Sequence, residues 1–394
     1  MKLLCSTCKK IGPSWCARAD CPLFPKTSIQ GPAKQQFSGS APNLLIGSYG
    51  YPSVRVGVLA TENYSNNDDP RGWTAAQTPI IDIVRMRGSL VNSTVTADVK
   101  TAAKGHELQG LVAQSETPVA MDIDLAKKPT YQVQYPAFSA PHGPSVELKR
   151  AAITENVRVP TDVDKILADD LTASEQVSML TRKHDNYYIQ KVFAAGLLGR
   201  DQKFVPTRWS ITAVDDTLGK ELLARVKEYS IIGEPLAFTG GHYGNWYCIL
   251  VLPYKFQYEL FEIVVGTRAA NMEKGLWTDY EGFEGRTNYA EDTAGGYYAA
   301  RLSILEELDS RKRQGAVLTF RFIDDTYTHP LGVWVVREAV RATMTNKPLR
   351  FGSDELALIY LKAYAAKKHS CDAQYYLNQS KLLTALKQKT LGAY

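Results

Sequence analysis

Residues 295–341, GGYYAARLSILEELDSRKRQGAVLTFRFIDDTYTHPLGVWVVREAVR, decide the fold class. The glycine pair opens a helix in which Leu302, Leu305 and Leu308 share one stripe, the spacing of an amphipathic helix. Arg311, Lys312 and Arg313 fall in its last turn, where cations suit the helix dipole. Ala316 to Ile323 is a short apolar run of strand length, and Pro330 starts a second helix. That helix turns Trp334, Val335 and Val336 inward and carries Arg337 and Arg341 at helical spacing.

The same alternation extends outward. Residues 44–52 and 54–59 read as strand, glycine-rich turn and strand, and residues 231–251 as strands about Gly240–Gly244. Asp216 or Thr217 is a natural N-cap for a helix through Leu218 to Tyr229, and Ser353 caps another that ends near Lys368. Residues 378–389 form the last helix. Interleaved strands and helices predict a mixed α/β or α+β body over 44–377, with two lobes divided near 150–200. The stretch before it, 27–43, is rich in Pro, Gly, Ser and Gln and reads as a linker. Residues 378–394 make a terminal helix and tail.

Bulk properties exclude several classes. With 22% charged and 44% hydrophobic residues, the 394-residue chain has the balance of a soluble globular protein. A net charge of +5 permits nucleic-acid contact without demanding it. No apolar run approaches the length of a membrane span, and the longest candidate, YCILVLP at 247–253, reads as a buried strand. The opening Met1-Lys2-Leu3-Leu4 is cut short by Cys5 and Lys9-Lys10, so no signal peptide is expected and a cytoplasmic location follows.

Residues 1–26 hold Cys5-x2-Cys8, then Cys16-x4-Cys21, four of the six cysteines. Two short-spaced thiol pairs can converge on one tetrahedral ion, and zinc is the usual choice for four thiolates. An iron–sulfur cluster and disulfides are the alternatives. A closed four-thiolate site leaves no open position for substrate, so this zinc is read as structural.

Arg208 beside Trp209 pairs a guanidinium that can grip a phosphate with an indole that can stack a base. The competing account is a core tryptophan with Arg208 paired to Asp215 or Asp216. The turn carrying Gly47, Tyr49 and Gly50 could bring backbone amides to a phosphate, although no Lys-Ser or Lys-Thr follows as in a P-loop. Three acidic clusters, Asp215-Asp216, Asp279-Tyr280-Glu281 and Asp324-Asp325, could hold Mg²⁺ or Mn²⁺ if Asp215, Glu281 and Asp324 converge. The bland account makes them a helix cap, solvated loops or arginine partners. His242, in a double-glycine turn, is the best placed histidine for a general base.

The last seven residues, Gln388 to Tyr394, set an aliphatic residue and an aromatic at intervals of three after a glutamine. On one tight turn Leu391 and Tyr394 would make a hydrophobic plug, with Gln388 adding a directional hydrogen bond, as in sliding-clamp-binding peptides.

With the quartet at one end and this peptide at the other, the chain resembles the archaeal Nre family of DNA-repair proteins. The resemblance rests on residues 47–52 (GSYGYP), 205–216 (VPTRWSITAVDD), 295–301 (GGYYAAR) and 330–338 (PLGVWVVRE), and covers nearly the whole length. It implies a role in DNA-damage repair and binding of the sliding clamp (PCNA) through Gln388, Leu391 and Tyr394. The usual clamp peptide ends in two aromatics and this one has only Tyr394, which implies a tether of modest affinity. The resemblance implies no particular reaction. A nuclease or nucleotide-processing enzyme and a non-catalytic adaptor are the rival classes.

Overall fold

In a computed structural model the described residues are 34–391, apart from 64–65, 101–106, 131, 137 and 272–275. The four N-terminal cysteines and Tyr394 lie outside them, as do residues 27–33 of the segment expected to be a linker. Two compact units are present, and the division falls within one helix, between Leu218 and Gly219, later than the 150–200 stretch; Pro330–Gly332 groups with the first unit.

The first unit runs β1 (Gln36–Ile46), β2 (Ser53–Thr61), α1 (Pro70–Ala75), α2 (Ile80–Gly88), β3 (Val91–Asp98), α3 (Glu107–Gln114), β4 (Val119–Leu125), β5 (Ser145–Ile153), α4 (Thr161–Ala168), α5 (Ala173–Leu180) and α6 (Asn186–Ala194). The helix α7 (Thr207–Val226) then carries the chain into the second unit. The five strands close into a barrel in the order β1-β2-β3-β5-β4. All neighbours are antiparallel except β3 and β5, which are parallel and meet at only three residue pairs, Asn92 with Ser145, Ser93 with Val146 and Thr94 with Glu147.

Strand β1 begins eight residues earlier than its sequence suggests. Its first half pairs with β4 and its second with β2, and the register with β2 shifts between Ser40 and Asn43. Pro42 sits at that irregularity, where the ladder does not need its missing N–H. The Gly, Ser and Pro that imitate a linker are thus the residues a bent, partner-switching strand requires. Phe37 and Ala41 point into the barrel with Val58, Val119, Met121 and Ile123. Helix α3 closes the interior, burying Val112 in this cluster and Ala113 in a second one with Leu44, Ile46 and Phe204.

The second unit runs β6 (Leu236–His242), β7 (Asn245–Leu252), β8 (Gln257–Val264), β9 (Trp277–Glu281), α8 (Ala294–Arg311), β10 (Ala316–Ile323), α9 (Trp334–Met344), β11 (Leu349–Arg350), α10 (Asp354–His369), α11 (Ala373–Leu377) and α12 (Lys381–Leu391). Its six-stranded sheet has the order β11-β6-β7-β10-β8-β9, with β10 and β8 parallel. Successive side chains alternate between faces, and here the faces differ in kind. One is apolar: Leu250, Phe261, Ile263, Leu318, Phe320 and Phe322 pack against Ala357, Leu361 and Ala365 of α10 and Leu382 and Leu386 of α12.

The other face is ionic and is covered by α8 and α9. Arg321 donates to Glu262 and, at 3.0 Å, to the Asn245 side chain, and Arg301 of α8 donates to Glu281 at 2.9 Å. All five residues are buried. Tyr297 lies 4.9 Å from Tyr258, centroid to centroid. Close approach explains the Gly295-Gly296 opening: a β-carbon on Gly296 would stand 2.8 Å from Glu262 Oε1. The single leucine stripe expected for this helix is a correction, because α8 is buried almost all round from Gly295 to Leu305. Glu259 on the apolar face caps α12, accepting from the Lys381 and Leu382 amides at 2.9 and 3.2 Å and from the Ser380 hydroxyl.

Candidate nucleic-acid interface

Three segments of the barrel unit bring the expected binding residues together. The first is the β1–β2 turn. Gly47 N–H donates to the Arg55 carbonyl at 2.8 Å and Ser53 N–H to that of Gly50 at 3.0 Å, which makes the turn tight. Gly50 has φ +81°, and a β-carbon there would lie 2.8 Å from the Ser53 carbonyl oxygen, so glycine is required. The turn projects Tyr49 into solvent at 97% exposure and leaves Tyr51 half exposed.

The second segment is the start of α7. It begins at Thr207, ten residues before the cap expected near Thr217. Pro206 sets the first turn, its carbonyl accepting from the Trp209 and Ser210 amides at 2.7 and 3.0 Å. The Thr207 hydroxyl accepts from the amide of Ile46, the last residue of β1, at 2.9 Å. This bond fastens the helix start to the root of the turn. Trp209 is 41% exposed, which overturns the core-tryptophan account, and its ring meets Tyr51 edge-on at 5.1 Å.

The third segment is the β4–β5 connection. The exposed Arg208 guanidinium lies 4.8 Å from the centre of the Phe138 ring. Phe138 is absent from the expected set; its only signal is an aromatic set between prolines and small residues at 136–141. The connection is held from within. Arg87 of α2 pairs with Asp68 at 2.9 Å and donates to the Pro141 carbonyl at 2.8 Å. His142 is buried, bridges to Gln134 through the backbone and has its Nδ1 2.7 Å from the Gly143 carbonyl oxygen.

The acidic candidates do other work. Asp215 is buried inside α7 rather than at a strand end, and its carboxylate accepts from Gln190 at 3.2 Å. Asp216 is half-buried one position on, also inside the helix instead of capping it. In the other unit Glu281 is tied to Arg301, and Asp279 accepts twice from Thr293 at 2.8 Å and pairs with Arg286 at 3.0 Å. Asp324 accepts from the Trp246 indole at 2.7 Å and from the Thr326 amide at 2.9 Å. Among the described residues no three His, Cys, Asp or Glu side chains gather as a metal site. His242 ends β6 with its ring against Tyr243, and partial burial lowers its pKa. Gln388 is exposed on the last turns of α12, and that helix extends through Leu391.

A closed five-stranded barrel in the order 1-2-3-5-4, with its third and fifth strands parallel and a helix between the third and fourth, has the topology of an oligonucleotide/oligosaccharide-binding barrel. In such barrels the β1–β2 and β4–β5 loops flank the ligand, and those two loops hold Tyr51 and Phe138 here. The family models described as "Archaeal Nre, N-terminal" and "Archaeal Nre, C-terminal" match residues 15–269 and 281–394, and the chain belongs to this family. It is 32% identical to the DNA repair protein NreB of Archaeoglobus fulgidus over 99% of both chains. To the DNA repair protein NreA of Haloferax volcanii it is 34% identical over 77% of each. To NreA of Archaeoglobus fulgidus it is 32% identical over 90% of this chain and 92% of that one. No solved structure matches it. No helix among the described residues is long and apolar enough to cross a membrane.

The buried imidazole gives the β4–β5 connection a pH dependence. Burial first, and then the Arg87 charge, hold His142 down to about 4, against a partial opposing effect of the Gly143 carbonyl. The unfolded chain, with an imidazole near 6.5, takes up its proton first. Stability is therefore complete above about pH 6.5 and falls as pH drops towards 4, by up to about 3 kcal/mol. Denaturant midpoints at pH 7 and 4.5 should differ more for the native chain than for His142→Gln; equal differences would refute the assignment.

Proposed function

We propose that this chain is a DNA-repair protein that binds single-stranded DNA on its barrel unit and is recruited to the sliding clamp (PCNA) by its C-terminal peptide. The observation that carries this reading is the exposed Tyr51–Trp209 pair beside Arg208, set at the two loops that flank ligands in this barrel type. Exposed aromatic edges cost hydration and are retained where bases stack on them, and a guanidinium held on a ring is poised for a phosphate. Tyr49 extends the same surface. The names of the relatives supply the repair context. Gln388, Leu391 and Tyr394 are the clamp-binding residues in this reading.

Cys5, Cys8, Cys16 and Cys21 hold one structural zinc ion in this reading, supported by the chemistry of the donor set. Four thiolates in two short-spaced pairs satisfy a tetrahedral ion completely. Metal analysis should find one zinc per chain, falling to none in Cys8→Ser/Cys16→Ser; iron with a charge-transfer colour would replace zinc by a cluster.

For DNA, anisotropy of a labelled oligothymidylate should show about tenfold weaker binding for Trp209→Ala, the cost of one lost stacking contact. Arg208→Ala should weaken binding and reduce the slope of log K against log salt by about 0.7, one phosphate contact to a single strand. Native affinity in the double variant would sink the barrel assignment. For the clamp, truncation after Lys387 or Leu391→Ala/Tyr394→Ala should abolish co-migration with the clamp on a sizing column, and persistence of the complex would reject the peptide.

A further inference from the structure

Tyr49 differs in kind from the other aromatic rings of the barrel surface. It is 97% exposed, so both faces of its ring meet solvent, whereas Trp209, at 41%, is more than half covered. The ring does not ride on a loose loop. Its turn is closed by the Gly47–Arg55 and Gly50–Ser53 backbone bonds, and is sewn to the end of β3 by the Val99 amide, which donates to the Pro52 carbonyl at 3.0 Å. An aromatic held out on a stiff stalk with two free faces takes a base on each, the arrangement of a side chain inserted between neighbouring bases. A platform such as Trp209 takes a base on one face alone.

Cations are rooted on both flanks of this turn. Arg55 leaves β2 on its outer side, between the inward Val54 and Val56, and stands opposite Gly47. Lys100 follows Val99 at the end of β3, and Arg208 belongs to the helix fastened to the last residue of β1. All three are exposed, and among the described residues none has a carboxylate within ion-pair distance. One strand crossing Trp209 brings its phosphates to one flank. Unpaired cations on the β1 and β3 flanks together suit two backbones that diverge around the ring. Energetics then choose the place on the duplex. Opening an intact step costs unstacking that two faces of one ring do little more than return. A mismatched step is already loosened, so its cost is least.

We infer that Tyr49 is a wedge that enters duplex DNA at a locally unpaired step, so that the ligand class of this surface is a duplex with a helical defect. The inference rests on the barrel being the DNA-binding unit. Anisotropy should compare two labelled duplexes, one fully paired and one with a single central mismatch. The native chain should bind the mismatched duplex at least about tenfold tighter, the advantage of a step that is already loosened. Tyr49→Ala should bring that ratio to about one with an unchanged unfolding midpoint, because the ring packs on nothing. Tyr49→Phe should keep the ratio, since the ring and not the hydroxyl does the stacking. Arg55→Gln and Lys100→Gln should each lower the slope of log K against log salt on the mismatched duplex by about 0.9. A native ratio of one, or a ratio that survives Tyr49→Ala, would overturn the wedge, and unchanged slopes in both cation variants would overturn the two-backbone arrangement. A ratio of one with intact binding of oligothymidylate leaves the barrel reading standing, whereas a native chain that binds none of these DNAs removes both.

Discussion

The barrel depends on its shortest seam. Only three residue pairs join β3 to β5, yet without them the other four pairings describe an open, edge-exposing sheet. Parallel strands cannot be joined by a tight turn, so the chain must travel from β3 through α3 and β4 and then along residues 126–144 before β5 can enter. That detour is what delivers Phe138 to Arg208. The geometry of closure and the geometry of the Arg208–Phe138 contact are one constraint. Arg87 and His142 serve both: each is buried, and each holds part of the long connection that the seam makes necessary.

The sheet unit solves a different problem. Its apolar face gains from burial alone, whereas the face under α8 carries paired charges whose desolvation is costly. Such pairs stabilise little compared with a hydrophobic packing of equal volume, but losing one partner strands the other in the interior. The pair that crosses from α8 to the sheet, Arg301 on Glu281, therefore selects one seating of α8 more strongly than a greasy contact would. Gly296 is the backbone's share of that selection.

Much of the architecture is legible in residues 295–341, because the helix and strand there have the lengths and punctuation that tertiary packing leaves intact. The limits of α10 are equally plain, since Ser353 caps it as expected. Two features escape. The start of β1 is hidden because a bent strand that changes partner uses Gly, Ser and Pro, the same residues as a linker. The start of α7 is hidden because Asp216 and Thr217 imitate a cap while Pro206 and Thr207, tied to Ile46 across 161 residues of sequence, provide the real one. The pairing of Arg208 and Trp209 with the Gly47–Tyr51 turn follows from long-range contacts that local pattern does not encode. The carboxylates err the other way: acidic pairs look catalytic in a string of letters, and here Asp215, Asp279, Glu281 and Asp324 are occupied by amides, hydroxyls and guanidinium groups.

The cap that Glu259 places on α12 has a mechanical consequence. A carboxylate rooted in a strand of the sheet grips the first turn of a helix whose far end carries Gln388 and Leu391. Eleven helical residues make a spar of about 16 Å, so whatever engages its tip takes its bearing from strand β8 instead of from a slack thread. A stiff mount forfeits less freedom on engagement than a loose one. It also converts a point of attachment into a heading.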